Sequence, residues 1–433
     1  MLTFYGKSNA YCDGVRRREF LRVGGLAVGS LTLADLLRLE AAAGPRATGK
    51  SIINIYLPGG PTHMDTFDLK PDAPKEYRGE FRPIATTAPG LEICELMPRL
   101  ATVGQHFSVI RSVVGMRNEH SPRQSDSGWS ERDLRSIGGH PGIASVMAKV
   151  LGSSQTTPHG VAPTSVDITG WTRPGFLGQT FAAYRPDSIG RSNLRLNGNV
   201  TLNRLADRRS LLKELDRLRS DIDRSGMMDA VDSFTGRALD LVASGYLAKV
   251  LDLSNEDPRT VERYGITQRR DLDRFLMARR LICAGVRCVA LSWGGWDTHG
   301  NNFQTMRKQL PALDTALTAL IEDLDAHGRL DDTIIMMSGE FGRTPRINGN
   351  AGRDHWPAAA FFFLAGGGFR HGQAIGSTDR LGRVPQDRPV HLQHIFTTVY
   401  KQLGIDPDSV QLRDPNGRPQ YLVAERQVIH ELV

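Results

Sequence analysis

Cysteine is scarce in this chain, with 4 residues among 433. No C-x-x-C pair occurs, which excludes a disulfide framework and a thiolate zinc site. Only Cys283 and Cys288 are close enough in sequence to leave a bridge open, and Cys288 falls in an apolar run that favours core packing. Internal repeats, long low-complexity segments and apolar runs of membrane-spanning length are missing as well. The sequence therefore predicts a large globular protein without an integral membrane span.

Long blocks of like charge are also missing, although the net charge is +7. Arginines alternate with acidic residues along the predicted helices, which indicates solvated helix faces and argues against nucleic-acid binding. An anionic substrate, including a sulfated or phosphorylated polymer, is compatible with the mild positive charge. Gly366–Gly368 follows a predicted strand without G-x-G-x-x-G spacing, so we predict no dinucleotide cofactor.

The N-terminus carries an export pattern. Arg16–Leu21 contains the twin-arginine sequence R-R-x-F-L, a modest apolar stretch follows, and Ala41–Ala43 offers a small-residue cleavage site. The apolar stretch is short and interrupted by Asp35, which argues against a membrane span. We predict a signal peptide at residues 1–44 that is recognised by the twin-arginine translocase. The mature chain, residues 45–433, is then expected to be periplasmic or extracellular. A basic amphipathic first helix is the alternative.

Apolar, β-branched runs alternate with helical patterns along the mature chain. This order predicts an α/β fold with a doubly wound, mostly parallel sheet between helices. The helices between about residues 202 and 284 are interpreted as an insertion that lies against the sheet, and the lack of a convincing linker predicts a single domain. The predicted strands are residues 51–57, 106–114, 286–292, 333–337 and 359–365; the predicted helices are residues 96–103, 122–129, 143–151, 202–222, 231–253, 269–284, 306–327 and 394–403.

Polar clusters follow four of the predicted strands. The carboxyl ends of parallel strands meet at one edge of a sheet, where ligands bind in α/β folds, so we expect these clusters to converge. Carboxylate and imidazole groups without thiolate are suited to divalent Zn, Mn, Fe, Mg or Ca. The clusters are residues 59–68 (GGPTHMDTFD), residues 117–123 (RNEHSPR), residues 293–302 (WGGWDTHGNN), and Glu340 with Arg343, Asp354 and His355.

These motifs, in order, resemble those of a known family. The export signal, GGPTHMDTFDLKP, RNEHS, ARRLICAGVRCVALSWGGWDTHGNN, SGEFGRTP, GRDHWP and LAGGG are similar to a large bacterial family of twin-arginine-exported proteins of unassigned function. That family is placed in the alkaline phosphatase and sulfatase superfamily, and the match covers nearly the whole mature chain. The resemblance implies an alkaline phosphatase-like α/β/α sandwich with a metal centre at the carboxyl rim of its sheet.

The resemblance also implies a set of metal ligands. Glu340 stands where the superfamily has a metal-binding Asp, and Asp297 with His299 resembles its Asp–His ligand pair at shorter spacing. After the first strand the superfamily usually has an Asp ligand, whereas this chain has Gly59-Gly60. Either the following acid and histidine take over there, or that half of the metal pair is missing. The implied ligands are Asp297, His299, Glu340, His355, Asp65 and His63.

Four further residues are candidates for catalysis. Ser121 lies where the superfamily nucleophile opens a helix, with an N-cap as its alternative role. Arg343 and Arg123 are expected to grip the non-bridging oxygens of an anion, unless Arg343 pins its own turn to a carboxylate. His120 is a candidate proton donor to the leaving group. The implied activity is metal-dependent hydrolysis of sulfate or phosphate esters. The alternative is an exported binding or scaffold protein that retains the fold without turnover.

Overall fold

The apolar run at residues 51–56 forms the first strand, β1, and all six of its residues are buried. The structure is a computed structural model that describes residues 49–158, 160–187 and 245–433, all of which belong to one compact unit. The predicted signal peptide, residues 1–44, and the first part of the predicted insertion, residues 202–244, lie outside the described residues.

Seven strands form the central sheet, in the order β7-β2-β6-β5-β1-β4-β3. Six of them run in one direction, and β6 runs antiparallel to its neighbours β5 and β2. The prediction of a mostly parallel sheet flanked by helices is therefore confirmed. The strands are β1 (Ser51–Tyr56), β2 (Phe107–Ile110), β3 (Ser165–Asp167), β4 (Cys288–Ser292), β5 (Thr333–Ser338), β6 (Phe362–Gly366) and β7 (Gln373–Ile375).

Helices cover both faces of this sheet because its strands alternate apolar side chains between two cores. Along β5, Ile334 and Met336 pack with α4 and α9, whereas Ile335 and Met337 pack with α7 and α8. The result is a three-layer fold in which helices bury both faces of the sheet. The helices are α1 (Lys75–Arg78), α2 (Pro98–Ala101), α3 (Arg123–Ser127), α4 (Ile143–Leu151), α5 (Tyr246–Leu251), α6 (Pro258–Arg263), α7 (Asp273–Cys283), α8 (Asn302–Ala326) and α9 (Leu392–Gln402).

Short two-stranded sheets form in addition to the central sheet. The pair that matters for the site joins Gly342–Arg343 to His355–Trp356 in antiparallel register. It folds the segment after β5 back on itself and carries His355 toward the end of that strand. The other pairs are Pro83–Ala85 with Glu92–Cys94, Val113–Val114 with Val390–His391, Ser154–Thr157 with Gly160–Pro163, Ser377–Thr378 with Pro385–Asp387, and Gln411–Arg413 with Pro419–Tyr421.

The described residues hold three cysteines, and all three are free: Cys94 and Cys288 are buried and Cys283 is exposed. The bridge between Cys283 and Cys288 that the sequence left open is not formed. Within the same described ranges, no helix has the length and apolar character needed to cross a membrane.

Strand direction explains why distant segments meet. Four parallel strands, β1, β2, β4 and β5, end at one edge of the sheet, and each is followed by one of the polar clusters. Because β6 runs the other way, the residues that precede it arrive at the same edge. The segment that holds His355 therefore joins the clusters that follow the parallel strands.

Candidate metal centre

Three side chains from two of these segments converge on one point. The Nε2 atoms of His299 and His355 are 3.0 Å apart. The Oδ1 atom of Asp297 lies 3.1 Å from Nε2 of His299 and 3.3 Å from Nε2 of His355. Asp297 and His299 follow β4, and His355 reaches the same place through the hairpin after β5. Three of the ligands that the resemblance implied are therefore in mutual contact.

Each of the two imidazoles is held by an oxygen behind it. Nδ1 of His299 lies 2.6 Å from Oδ1 of Asp354, and Nδ1 of His355 lies 3.0 Å from Oδ1 of Asn118. A carboxylate or an amide oxygen only accepts, so both Nδ1 atoms donate. In the neutral form of each ring, Nε2 then carries a lone pair. This arrangement is typical of metal-binding histidines, whose second nitrogen is fixed by an outer oxygen.

The converging atoms fit a metal ion. Two imidazole lone pairs and a carboxylate oxygen repel one another unless a cation lies between them. Tetrahedral bonds of 2.0–2.1 Å place ligand atoms about 3.3 Å apart, close to the separations of 3.0, 3.1 and 3.3 Å seen here. Asp297 and His299 are about half exposed, at 48% and 49%, which leaves the open side that a catalytic site needs for water or substrate.

His120 lies beside this group. One ligand atom each from His120, Asp297 and His355 lie within 4.8 Å of one another, and the rings of His120 and His355 are 4.3 Å apart. Nδ1 of His120 is 3.5 Å from Oε1 of Glu340. His120 is thus positioned either as a further ligand or as an acid–base group at the open side.

Glu340, which lies shortly after β5, places its carboxylate against the backbone turn of Gly59 and Gly60. Its Oε1 accepts a hydrogen bond from the Gly59 amide at 2.9 Å, and its Oε2 accepts from the Gly59 and Gly60 amides, each at 3.1 Å. The Tyr56 hydroxyl also hydrogen-bonds to this carboxylate. Burial raises the pKa of Glu340 above its usual value. The side chain touches the centre through His120 and anchors the glycine turn.

The turn itself requires glycine. Gly59 and Gly60 have φ values of 99° and 70°, in the left-handed region where a Cβ is strained. A Cβ on Gly59 would collide with the backbone of Asp297, and one on Gly60 would collide with Phe341. Where the superfamily places an acidic ligand, this chain therefore brings two backbone amides against Glu340.

Arg343 is fully buried and bonded to protein on all three of its nitrogens. Nε donates to the Gly60 carbonyl at 3.0 Å, Nη1 donates to the Arg353 carbonyl at 2.9 Å, and Nη2 donates to the Gly59 carbonyl and to Oδ1 of Asp297. No nitrogen is left to grip a substrate anion. This corrects the expected role: Arg343 pins the turns and orients Asp297, which is the structural alternative that the sequence left open.

Asp65 and His63 are not brought into the cluster. Asp65 forms a buried ion pair with Arg353, in which Nε lies 2.7 Å from Oδ2, and it also accepts from Asn302 and Thr62. His63 is buried, and its Nε2 lies 2.8 Å from the Gly382 carbonyl. Both residues take structural roles in place of the ligand roles that the resemblance implied.

Ser121 and Arg123 form a separate small network. The Ser121 hydroxyl donates to Oε2 of Glu131 and accepts from the Arg123 amide at 3.4 Å. Arg123 donates through Nε to the same Glu131 oxygen at 2.8 Å, and through Nη1 to the His140 carbonyl at 3.4 Å. These contacts commit both side chains to Glu131. The N-cap of α3 is Pro122, so Ser121 does not take the capping role that the sequence left open.

Electrostatics lower the pKa of two acids of the cluster, Asp297 and Asp354. Burial acts to raise the pKa of Asp297, but its hydrogen bond from Arg343 and its contact with His355 hold that pKa below its usual value. The pKa of Asp354 is lowered chiefly by its hydrogen bond to His299. Burial lowers the pKa of His355, so its ring favours the neutral form that binds metals.

Comparison with known sequences now identifies the family. Residues 49–433 match the family described as Protein of unknown function (DUF1501). The chain belongs to this family. Among curated proteins, no sequence match was found for it.

Several solved structures resemble this DUF1501 chain at low identity. The PsFucS1 sulfatase from Pseudoalteromonas sp. shares 11% identity at a TM-score of 0.39, over 87% of this chain and 71% of that one. Ps i-CgsB shares 8% at a TM-score of 0.34, over 82% and 72%. The lipoteichoic acid synthase LtaP from Listeria monocytogenes shares 12% at a TM-score of 0.32, over 90% and 78%. TM-scores this low carry no argument about activity.

Sequence reasoning placed Asn118 and Asp354 in the polar clusters without an orienting role and assigned no role to Tyr56, yet all three hold the centre together. Asn118 and Asp354 orient the two imidazoles, and Tyr56 contacts Glu340. A signal was present for the first two, because Asp354 immediately precedes His355 and Asn118 lies in the RNEHS motif. Tyr56 is simply the last residue of β1, and its pattern carries no such signal.

Replacing Asp354 with Ala is expected to weaken metal binding by about 10–100-fold, because His299 loses the acceptor that fixes its tautomer. Asp354 is about half exposed, at 51%, so the fold should tolerate the change. Titration of metal-free protein with Zn²⁺ in a calorimeter measures the effect. Asp332→Ala is the matched control, since it removes an exposed acid at the opposite end of β5. Equal affinities in the two variants would contradict the orienting role of Asp354.

Proposed function

We propose that this chain is an exported, metal-dependent hydrolase of sulfate or phosphate esters with an alkaline phosphatase-like fold. The observation that carries the proposal is the convergence of Asp297, His299 and His355 at 3.0–3.3 Å. The site lies at the carboxyl rim of a mostly parallel sheet, where α/β enzymes bind their ligands. The twin-arginine motif of the first 44 residues supports the export part, with a periplasmic or extracellular destination.

The side chains divide the work of such a reaction. A divalent ion, when bound, activates water and polarises the ester oxygen. Asp297, His299 and His355 hold the ion, while Asp354 and Asn118 fix the direction of the two rings. His120, whose Nδ1 faces Glu340 at 3.5 Å, donates a proton to the leaving oxygen at the open side. Ser121 is left out of this scheme because its hydroxyl is bound to Glu131.

A panel of aryl sulfates and aryl phosphates tests the proposal. The purified chain should hydrolyse at least one of them when a divalent metal is supplied, and His355→Ala should reduce the rate to background. His430→Ala is the matched control. His430 is exposed, and its carbonyl accepts a hydrogen bond from Arg370, which follows β6 at the end of the sheet opposite the centre.

The outcome that would remove the proposal is equal inactivity of the wild type and His355→Ala across the whole panel with every metal supplied. The chain would then be interpreted as an exported binding or scaffold protein that retains the hydrolase fold. The commitment of Arg343 and Ser121 to protein partners is the observation that favours this second reading.

A further inference from the structure

The number of ions that this centre takes depends on how many carboxylates are available to it. A carboxylate offers about four lone-pair positions. Glu340 accepts three hydrogen bonds from the Gly59 and Gly60 amides and one from the Tyr56 hydroxyl, and Nδ1 of His120 lies 3.5 Å from its Oε1. Its side chain is 2% exposed. Binding of a metal by Glu340 would release buried amide donors of the glycine turn, which is costly.

The carboxylate of Asp65 is equally committed. It receives two hydrogen bonds from Arg353, one from Asn302 at 2.9 Å and one from Thr62 at 3.1 Å. Oδ1 of Asp354 accepts a hydrogen bond from His299, and its Oδ2 accepts one from the Asn348 side-chain amide. Of the acids that border the centre in the described parts of the chain, Asp297 alone aims an oxygen at the Nε2 atoms of His299 and His355.

We infer that the centre binds a single ion of the zinc-like transition-metal class, held by Asp297, His299 and His355, and that Glu340 is not a ligand. The inference deepens the proposed function by naming the number and class of the ion. It concerns metal binding alone, so it holds even if the chain hydrolyses no ester. It favours the alternative in which half of the metal pair is missing, one of the two that the superfamily resemblance left open.

Charge also limits the centre to one ion. Asp297 supplies the only anionic ligand in this set, and the guanidinium of Arg343 is hydrogen-bonded to the same Oδ1 atom. The protein therefore offers little negative charge to offset a second dication beside the first. Repulsion between two uncompensated dications at short range would exceed what the neutral imidazoles can offset.

The donor atoms select the class of ion. Ca²⁺ takes 6–8 oxygen ligands and Mg²⁺ demands near-octahedral oxygen coordination, whereas two of the three ligand atoms here are imidazole nitrogens. Imidazole suits Zn, Fe and related transition ions, and two histidines with one carboxylate form a set that leaves open positions for water or substrate. We therefore expect discrimination against both alkaline-earth ions.

Metal counting on the purified full chain tests the inference. After chelation and dialysis, the protein is loaded separately with Zn²⁺, Mn²⁺, Ca²⁺ or Mg²⁺, and bound metal is measured by mass spectrometry and calorimetry. The expected result is one Zn²⁺ per chain, bound at least about 100-fold more tightly than Ca²⁺ or Mg²⁺. Two tightly bound ions per chain, or equal affinity for Ca²⁺ and Zn²⁺, would overturn the inference.

The Glu340→Gln variant tests whether Glu340 is a metal ligand or only holds the glycine turn. The amide oxygen still accepts from the glycine turn, so the variant should keep one ion with an affinity close to that of the wild type, whereas His299→Ala should lose it. Loss of the ion from folded Glu340→Gln would show that Glu340 is a ligand. Should this variant fail to fold, X-ray absorption of the Zn²⁺-loaded wild type decides, because a second metal about 3.5–4 Å away would overturn the single-ion centre.

Failure of this inference and failure of the proposed function give different results. One bound Zn²⁺ with no hydrolysis of any ester would sustain the single-ion centre and remove the hydrolase. Two bound ions with active hydrolysis would overturn the single-ion centre and support the hydrolase. A matched control is Asp332→Ala, which removes an exposed acid at the opposite end of β5 and should leave the metal count at one.

Discussion

Replacing Arg353 with Ala is expected to lower the free energy of unfolding by about 3–5 kcal/mol, because it leaves the Asp65 carboxylate buried without its charge partner. Both side chains have no exposed surface, and Nε of Arg353 lies 2.7 Å from Oδ2 of Asp65. Arg353 also donates to the carbonyls of Thr344 and Tyr77, so its removal orphans further buried acceptors. Urea unfolding followed by fluorescence measures the loss as a lower midpoint.

An exposed arginine serves as the control for this prediction. Arg307 pairs with Glu80, and the two side chains are 54% and 49% exposed, so Arg307→Ala is expected to cost less than about 1 kcal/mol. Replacing both members of the buried pair, as Asp65→Asn with Arg353→Met, should recover part of the loss because no charge is then stranded. If Arg353→Ala costs no more than Arg307→Ala, the pair is not isolated from solvent and its structural role is wrong.

This pair shows why the structural role of Asp65 was out of reach of sequence reasoning. Asp65 and Arg353 are separated by 288 positions in sequence, and nothing in either motif announces the partner. An acid after a strand at the rim of a sheet has the same pattern whether it faces a metal ion or an arginine. Here the arginine stands in the GRDHWP motif itself, so the ion pair fixes the loop that carries His355.

The parts of the fold that followed from sequence are those with a long apolar run or a clear period. The runs at residues 51–57, 286–292 and 333–337 became β1, β4 and β5 within two residues at each end, and the pattern at residues 143–151 became α4. Burial on both faces leaves a continuous apolar run, which is readable without knowing the neighbours. The order of these runs then sufficed for the layered architecture.

The strands that sequence reasoning missed are too short to show a period. Ser165–Asp167 and Gln373–Ile375 have three residues each, and the first lies in a stretch rich in Gly, Pro, Ser and Thr, a composition typical of loops. Strand direction was hidden as well. The apolar pattern of residues 359–365 predicts a strand, but it does not indicate that Phe362–Gly366 runs antiparallel to its neighbours. That direction brings His355 to the rim.

Site composition was more accessible than site geometry. The convergence of Asp297, His299 and His355 followed from the positions of polar clusters after strands, a consequence of sheet topology. The orientation of Glu340 and Arg343 did not follow, because both bind backbone groups of Gly59 and Gly60 about 280 positions away. Backbone amides and carbonyls are the same at every residue, so a sequence cannot reveal which of them a side chain will find.

Replacing Asp297 with Ala should remove the ion and the activity together while leaving the fold in place. Among the acids of residues 49–158, 160–187 and 245–433, Asp297 is the one whose carboxylate faces both Nε2 atoms. Loss of a ligand should exceed the roughly 10–100-fold loss typical of outer partners. We therefore expect metal affinity to fall by more than about 100-fold and ester hydrolysis to reach background. Calorimetric titration with Zn²⁺ and the aryl ester panel measure the two effects.

The stability of the same variant distinguishes a ligand from a structural acid. Arg343 would keep its hydrogen bonds to the Gly60 and Arg353 carbonyls, at 3.0 and 2.9 Å, and Asp297 is about half exposed, so the cost should be about 1 kcal/mol or less, a shift of about 1 °C in Tm for a chain of this length. Asp332→Ala, an exposed acid at the opposite rim, should change neither binding nor stability. Undiminished Zn²⁺ affinity in Asp297→Ala would move the centre elsewhere, toward His120 and Glu340; a large drop in Tm would make Asp297 a structural partner of Arg343 first and a ligand second.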